Sequence, residues 1–271
     1  MYWPLLKAVP GGSVLKMLGG LKELRSEIDW SKVFLFYVNH KCVPNDDASA
    51  THFKALSIFL DACPAVAHPM ATAAEGVTKG HDTDAHLYRN QIEAVLPLSD
   101  GLPIFDYMLL GMGKDGHIGS LYPGRKEVLM TDKHQWVLSV DKKSPSSISL
   151  SLPVMNAARY CSWQGSLHFT PCRQNFYNLT LSLLGEKLAI IDYPILSYLI
   201  KLYREVRVVL SGADKAEAVL SGVMRDKSAY DFPVCGVTSA LWMVDEPAAV
   251  LLQESNSSRK DGDKVLCLMN P

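Results

Sequence analysis

The sequence predicts an α/β fold in three layers, with a mainly parallel sheet flanked by helices. Its main signal is a set of short, mainly apolar runs: VFLFYV at 33–38, YMLL at 107–110 and VRVVL at 206–210. Such runs, bounded by glycine or polar residues, are typical of strands buried on both faces of a parallel sheet. Segments with helical spacing lie near or between them, at 14–24, 50–63, 85–95 and 215–224. Strands that alternate with helices along one chain indicate this fold class.

The composition predicts one globular domain and gives no reason to expect a nucleic-acid partner. The chain of 271 residues is 48% hydrophobic and 20% charged, with a formal net charge of −1. This composition is that of a globular protein, and we expect one domain over residues 1–252 with a polar, disordered tail at 253–271. The charge balance gives no indication of a nucleic-acid partner.

Cysteine usage and the absence of targeting signals indicate the compartment. The six cysteines show neither CxxC nor Cys/His spacing, which favours reduced thiols over a disulfide framework or a zinc site. No apolar run is long enough to cross a membrane, and the first residues lack the features of a signal peptide. We therefore expect a cytoplasmic protein with no metal site and no membrane contact.

The first strand and turn have the form of an anion site. An apolar stretch at 5–9 runs into Pro10-Gly11-Gly12-Ser13, and a helical pattern follows. Strand, glycine turn and helix offer free backbone N–H groups to a phosphate, with Ser13 as an N-cap or a phosphate donor. The same residues also make an ordinary helix start, so the pattern alone leaves both interpretations open.

Polar residues follow other predicted strands as well. Asn39-His40-Lys41 comes directly after the strand at 33–38, where ligands bind in open α/β sheets. ISLSL at 148–152 predicts a half-buried strand. The helix at 215–224 follows the strand at 206–210, and Asp214 or Ser211 is expected to cap it. The residues 81–86, with two histidines and two aspartates, are expected to form a solvated face.

The stretch FDYMLLGMGKDGHIGSLYPG at 105–124 is the strongest site candidate. Its apolar run ends in four glycines within nine residues, and Asp115 and His117 lie among them. Glycine lets the backbone approach a ligand closely, and the end of a parallel strand is the expected place for a site. Lys-Asp-Gly alone is an ordinary turn signal, so the residues by themselves do not decide between a site and a turn.

Four blocks together resemble the glucosamine-6-phosphate isomerase/6-phosphogluconolactonase superfamily, and within it the lactonases. LGMGKDGHIGSLYPG at 110–124 is similar to LGMGxDGHxASLFPG, and ISLSLPVMNAARY at 148–160 to ITLTLPVINAAR. LSGADKAEAV at 210–219 and PGGSVLKML at 10–18 resemble two further blocks. The ending SLYPG lacks the carboxylate that the deaminase branch carries at this point, which favours the lactonase branch.

The resemblance implies hydrolysis of 6-phosphoglucono-1,5-lactone to 6-phosphogluconate in the oxidative pentose phosphate pathway, without a metal or other cofactor. His117, oriented by Asp115 or a neighbouring carbonyl, is the implied general base. The remaining expected substrate and phosphate contacts are Gly11, Gly12, Ser13, Asn39, Lys41, Gly113 and Lys215, with backbone N–H groups around Gly113 and the Gly11-Gly12 turn facing the oxyanion. Arg125 and Arg159 are secondary candidates.

Three departures from the family pattern keep alternatives open. The family's Asp-Glu-Arg is here Asn39-His40-Lys41, which loses a carboxylate and the bidentate fork of arginine. The family has a strand and a helix before the Gly-Gly-Ser turn, so the chain is expected to be truncated there and to expose a sheet edge. Residues 161–205 match no block and are interpreted as a gene-model artefact, a surface excursion or an added helix. The alternatives to an active lactonase are a weakened homologue that binds sugar phosphates, and an isomerase or deaminase of the same fold. A plastid location is the alternative compartment.

Overall fold

The computed structural model describes residues 5–63, 65–67, 81–158, 205–238, 240–255 and 266–269. The predicted insertion at 161–205 lies outside these residues except for Glu205, and Arg159 lies outside them as well. The strands are β1 Leu5–Val9, β2 Val33–Tyr37, β3 Asn39–Lys41, β4 Val66–Ala67, β5 Leu98–Ser99, β6 Leu102–Pro103, β7 Tyr107–Gly111, β8 Val137–Val140, β9 Ser147–Leu150, β10 Glu205–Leu210, β11 Ala240–Asp245 and β12 Leu266–Met269.

Six α-helices and several shorter turns connect the described strands. The helices are α1 Gly12–Met17, α2 Thr51–Ala55, α3 His81–Val95, α4 Leu152–Ala157, α5 Ala216–Met224 and α6 Glu246–Ser255. A π-helical turn, Leu56–Leu60, extends α2, and 3₁₀ turns occur at Leu18–Leu24, Trp30–Lys32, Lys126–Leu129, Ala213–Lys215 and Pro233–Gly236. The predicted helix at 50–63 is thus present, but its second half is wound more loosely. No helix in the described ranges has the length and apolar character that crossing a membrane requires.

A seven-stranded sheet forms the centre of the fold, in the order β12-β11-β10-β7-β1-β2-β4. Every pair of neighbours in it is parallel, which confirms the predicted fold class. Successive residues of a strand face opposite sides of a sheet. Accordingly Met108 and Val208 belong to one buried cluster, whereas Leu109 and Val209 belong to the other. Both faces of the central strands are covered, which explains why these strands are continuous apolar runs.

A smaller antiparallel sheet, in the order β3-β9-β8, lies beside the carboxyl end of β2. Asn39–Lys41, expected only as polar residues after a strand, pair with Ser147–Ser149 as a strand of this sheet. The strand predicted at 148–152 is its central member β9, and β8 pairs along the other side. The expected half-burial is wrong, because Ile148, Ser149 and Leu150 are all buried. The antiparallel sheet therefore holds Asn39 and Lys41 at a defined place next to the parallel strand ends.

Several expectations are corrected by the packing. Asp84 is fully buried, so the segment 81–86 is not uniformly a solvated face. Neither Ser211 nor Asp214 caps α5, since its N-cap is Lys215 and no side chain in the described part of the chain caps it. Asp214 instead pairs with Lys114 at 2.8 Å. The interior position of β1, between β7 and β2, means that the strand before the Gly-Gly-Ser turn is not an exposed edge.

The predicted disordered tail from residue 253 is also corrected where the structure describes it. Helix α6 continues to Ser255, and β12 pairs in parallel with β11 as an outer strand of the sheet. LCLM at 266–269 is a short apolar run, but four residues inside a polar tail carry too little signal to distinguish a strand from coil.

Candidate active site

Four neighbouring parallel strands bring their carboxyl ends to one edge of the sheet. Strands β10, β7, β1 and β2 are adjacent in that order and run in the same direction. The segments that follow them are the predicted site segments: 211–215, 112–117, 10–13 and 39–41. A methyl group on Gly111 would lie 3.0 Å from Val14 Cγ2, so the end of β7 and the start of α1 are in close contact. The sheet therefore brings together residues that are up to 205 positions apart in sequence.

Asp115 and His117 form a hydrogen-bonded pair in the loop after β7. The distance from His117 Nδ1 to Asp115 Oδ1 is 2.5 Å, and the backbone N–H of His117 donates to the same oxygen at 3.3 Å. A carboxylate only accepts hydrogen bonds, so Nδ1 carries the proton and Nε2 of a neutral ring carries the lone pair. This is the arrangement that a histidine general base requires. The predicted orientation of His117 by Asp115 is present.

Gly113 makes this pair possible because it has no side chain. An added Cβ at this position would lie 2.1 Å from His117 Nδ1 and 2.6 Å from Asp115 Oδ1. The N–H of Gly113 donates to the carbonyl of His117 at 2.9 Å, and the N–H of Gly116 donates to the carbonyl of Gly113 at 3.0 Å. The N–H of Gly113 is therefore used within the loop. This particular N–H is not available to an oxyanion, and the glycine gives space to the imidazole. The other N–H groups around Gly113 stay the predicted donors.

Gly116 fixes the loop against the segment that follows α5. Its φ is +79°, in the left-handed region that favours glycine, and an added Cβ would lie 2.5 Å from the Phe232 ring. Its carbonyl accepts the N–H of Val234 at 3.0 Å. The loop after β7 is therefore packed on both sides. Gly113 is required by the space that His117 and Asp115 occupy, and Gly116 by the space that Phe232 occupies.

The pKa of Asp115 is lowered from its ordinary value. Partial burial by itself raises it, but the hydrogen bond from the His117 ring and the attraction to that ring outweigh this effect. The carboxyl therefore remains ionised while it holds the imidazole.

Tyr122 and two lysines extend the site in a way that sequence reasoning missed. The rings of His117 and Tyr122 lie with centroids 4.8 Å apart and planes tilted by 35°. The Nζ atoms of Lys142 and Lys143 lie 4.5 Å and 4.9 Å from the centroid of the Tyr122 ring. Tyr122 belongs to the SLYPG motif, but nothing in the sequence connects it to the polar turn that carries the lysines.

Lys215 lies against the start of the loop that carries Asp115 and His117. Its Nζ donates to the carbonyl of Met112 at 3.0 Å, across the gap between β10 and β7. The neighbouring Asp214 binds Lys114 at 2.8 Å, which joins the same two segments a second time. The predicted cation after β10 is therefore bonded at the start of the loop that carries Asp115 and His117, with two further N–H groups on its ammonium for a ligand.

Strand β3 contacts the segment that follows His117 through Asn39. The amide nitrogen of Asn39 donates to Ser120 Oγ at 3.1 Å, and the backbone N–H of Ser120 donates to Ser149 Oγ at 3.1 Å. Alternation along β3 leaves Lys41 exposed on the same side as Asn39. His40 points the other way and is fully buried, with its Nδ1 2.6 Å from the carbonyl of Lys41.

The turn Gly11-Gly12-Ser13 opens α1, but its capping differs from the expectation. Gly11 is the N-cap, no side chain among the described residues caps the helix, and Gly12 has a φ of +75°. Ser13 is an exposed residue of the first turn, so its predicted role as N-cap is wrong. Without a capping side chain, the first N–H groups of α1 are open to an external acceptor.

Of the secondary candidates, Arg125 is held by Glu127 at 2.9 Å and also contacts Asp141.

Together these features define a parallel α/β protein with an Asp–His pair and several cations at the carboxyl edge of its sheet. Residues 6–164 match the family model described as glucosamine-6-phosphate isomerases/6-phosphogluconolactonase. The chain therefore belongs to this family. Within the described residues, no group of three or more histidine, cysteine, aspartate or glutamate side chains is arranged to hold a metal ion.

Relatives in plants are similar over different lengths of the chain. "Probable 6-phosphogluconolactonase 4, chloroplastic" of Oryza sativa subsp. indica is 35% identical over 161 residues, which are 55% of this chain and 49% of that protein. "6-phosphogluconolactonase 3, chloroplastic" of Arabidopsis thaliana is 29% identical over 256 residues, 89% of this chain and 63% of that protein. The chain thus spans between about half and just under two thirds of the length of these relatives.

Solved structures share the fold at low identity. The 6-phosphogluconolactonase from Trypanosoma brucei superimposes with a TM-score of 0.64 at 20% identity, covering 92% of this chain and 87% of its own. A monomeric glucosamine-6-phosphate deaminase superimposes with a TM-score of 0.56 at 14% identity, covering 92% and 88%. Both branches of the family therefore share this architecture, and the fold alone does not choose between them.

Proposed function

We propose that the protein hydrolyses 6-phosphoglucono-1,5-lactone to 6-phosphogluconate, the lactonase step of the oxidative pentose phosphate pathway. The observation that carries this proposal is the 2.5 Å contact between His117 Nδ1 and Asp115 Oδ1 at the shared strand ends. It supports a general base of the kind that ester and lactone hydrolysis needs. The lactonase names of the plant relatives support the same activity.

His117 acts on the water that attacks the lactone carbonyl. Its Nε2 takes a proton from this water as the new C–O bond forms, and Asp115 stabilises the resulting imidazolium. The tetrahedral intermediate then expels the ring oxygen, which leaves as a hydroxyl after taking the proton from the imidazolium. The product is an open-chain hydroxy acid, which ionises to a carboxylate and releases one proton at neutral pH.

The oxyanion and the phosphate are assigned to the groups left open around this pair. The uncapped N–H groups at Gly12 and Ser13 replace Gly113 as donors to the oxyanion or to the phosphate. Lys215 and Lys41 supply fixed positive charge for the phosphate dianion, with Asn39 as a hydroxyl contact. Lys41 gives a point charge where arginine would give a planar fork, so we expect weaker phosphate binding on that side.

A rate assay with a matched histidine control tests the proposal. The purified chain should accelerate hydrolysis of the lactone above its spontaneous rate, measured as proton release in weak buffer. His117→Ala should reduce the rate by about 10²- to 10⁴-fold, the usual contribution of a general base. His134→Ala should have no effect, since His134 is exposed and lies beside Gly101. Unchanged hydrolysis in His117→Ala would refute the assignment.

Two other activities are distinguished by the same preparation. A homologue that only binds sugar phosphates is favoured by Asn39, whose amide is already bonded to Ser120. It would show phosphosugar binding without acceleration. A deaminase would release ammonia from glucosamine 6-phosphate. The segment SLYPG, with Ser120 and Tyr122, has no carboxylate where the deaminase branch carries one.

For the compartment we propose the cytoplasm, with the plastid as the alternative because the plant relatives are named chloroplastic. Fractionation of cells expressing the protein distinguishes the two.

A further inference from the structure

The ring of Tyr122 links the catalytic histidine to a pair of ammonium groups. His117 packs on Tyr122 at 4.8 Å between centroids, and Lys142 and Lys143 lie within 5 Å of the same ring centroid. Cations within about 6 Å of an aromatic centroid are attracted by the ring quadrupole. Tyr122 itself is largely buried. The ring therefore provides a fixed support that holds the two charges near His117.

The segment that carries the lysines, residues 141–146, is anchored at both ends. At one end Asp141 contacts Arg125, whose guanidinium is also bound by Glu127 at 2.9 Å and 3.1 Å. At the other end the carbonyl of Ser146 accepts the N–H of Cys42 at 2.8 Å. These contacts tie the segment to the end of the catalytic loop on one side and to β3 on the other. We call this segment the lysine loop.

The charges of the lysine loop are not neutralised within the described part of the chain. Both Lys142 and Lys143 are exposed, and neither forms an ion pair with a described carboxylate. By contrast, Lys114 is paired with Asp214 at 2.8 Å and Lys215 donates to a carbonyl. The two ammonium groups are therefore available to an anionic ligand.

We propose that Lys142 and Lys143 bind the carboxylate that hydrolysis creates beside His117. This inference deepens the proposed lactonase function and rests on it. The substrate has an uncharged carbonyl carbon where the product has a carboxylate, and this carbon is the one attacked by the water that His117 activates. The new negative charge thus appears next to His117, whose ring contacts the same Tyr122 ring as the two lysines. The phosphate lies at the other end of the ligand. The lysine loop recognises the product end of the ligand.

Binding of two ligands that differ only at this end tests the proposal. The probes are 6-phosphogluconate and glucitol 6-phosphate, which has a hydroxymethyl group in place of the carboxylate. In the wild-type chain, calorimetric titration should show tighter binding of 6-phosphogluconate. In Lys142→Met/Lys143→Met its affinity should fall roughly 2- to 30-fold, the range expected for two exposed ion pairs, while glucitol 6-phosphate binds as before. Higher salt should reduce the difference.

Control variants separate the local contact from net charge and from folding. Lys126→Met/Lys133→Met removes two exposed charges outside the lysine loop and should leave both affinities unchanged. Lys142→Arg/Lys143→Arg should restore discrimination, and Tyr122→Phe should retain it because the aromatic face remains. Equal weakening of both ligands in Lys142→Met/Lys143→Met would show a general field or a phosphate contact and would overturn the proposal. So would unchanged binding of 6-phosphogluconate.

Failure of the proposed function has a different result. If the lactone is not hydrolysed but the carboxylate is still discriminated through the lysine loop, the lactonase assignment fails and the binding assignment stands. If hydrolysis is normal and discrimination is absent, only the role of the lysine loop fails.

Discussion

Gly113→Ala tests the catalytic geometry with a single methyl group. The added Cβ would lie 2.1 Å from His117 Nδ1 and 2.6 Å from Asp115 Oδ1, whereas real Cβ contacts essentially never fall below 3.0 Å. The ring and the carboxylate cannot both keep their places, so their hydrogen bond must break or lengthen. Gly113 is not in the left-handed region, so alanine adds no strain of that kind to the backbone.

The expected effect is on the rate rather than on folding. Loss of an oriented general base costs about 10²- to 10⁴-fold. We expect kcat to fall about 10²- to 10³-fold, because the imidazole is displaced but still present, and this corresponds to about 3–4 kcal/mol in the barrier. The assay is proton release on lactone hydrolysis, with the thermal midpoint of unfolding measured in parallel.

Gly124→Ala is the matched control for this variant. Its Cβ would meet no atom of the described residues within 4 Å, but its φ of +71° is left-handed. It should lose about 1–2 kcal/mol of stability and keep its kcat. A folded Gly113→Ala protein with wild-type kcat would refute the conclusion that the close Asp115–His117 pair is the catalytic arrangement.

Three further predictions concern the scaffold. Burial lowers the pKa of His40 below the 6.5 of a free imidazole, so the unfolded chain binds more protons and stability should fall as the pH drops through about 6.5; His40→Gln should flatten this fall in urea midpoints measured between pH 7.5 and 5.5. Burial also lowers the pKa of Lys7 from 10.5 to about 7, so the free energy of unfolding should rise as the pH increases from about 7 to 10.5. A Lys7→Met chain whose urea midpoint rises as steeply as that of the wild type over this pH range would contradict the assignment. Gly222→Ala would place a Cβ 2.3 Å from the Trp242 ring and should cost about 1–3 kcal/mol through overpacking, with kcat retained in the residual folded protein at 20 °C; an unchanged thermal midpoint would argue against this packing.

Much of the scaffold was accessible to sequence reasoning because its signals are local. Apolar runs predicted the central strands β2, β7 and β10, and glycine turns marked the points at which two strands end. The rule that ligands bind at the carboxyl ends of parallel strands then placed His117 at one edge, and the family resemblance added Lys215. Their contacts with Asp115 and Met112 agree with that placement.

Predictions failed where a residue's role depends on a partner far away in sequence. The burial of His40 follows from the pairing of β3 with β9, more than 100 residues later, and alternation over three residues is too short to show it. The N–H of Gly113 is consumed by a turn whose hydrogen bonds cannot be read from composition. The short strand β12 lacks any local feature that separates it from a polar tail.

The amino-acid sequence by itself determined the α/β class, the main strands and the loop that carries Asp115 and His117, because hydrophobic periodicity and glycine act within a few residues. Only the tertiary structure decided which charges surround that loop. Lys142 and Lys143 stand over Tyr122 because the β8–β9 hairpin is anchored to Arg125 and to β3. The physical reason is that such contacts arise when separate elements pack together, and no local pattern in the chain specifies them in advance.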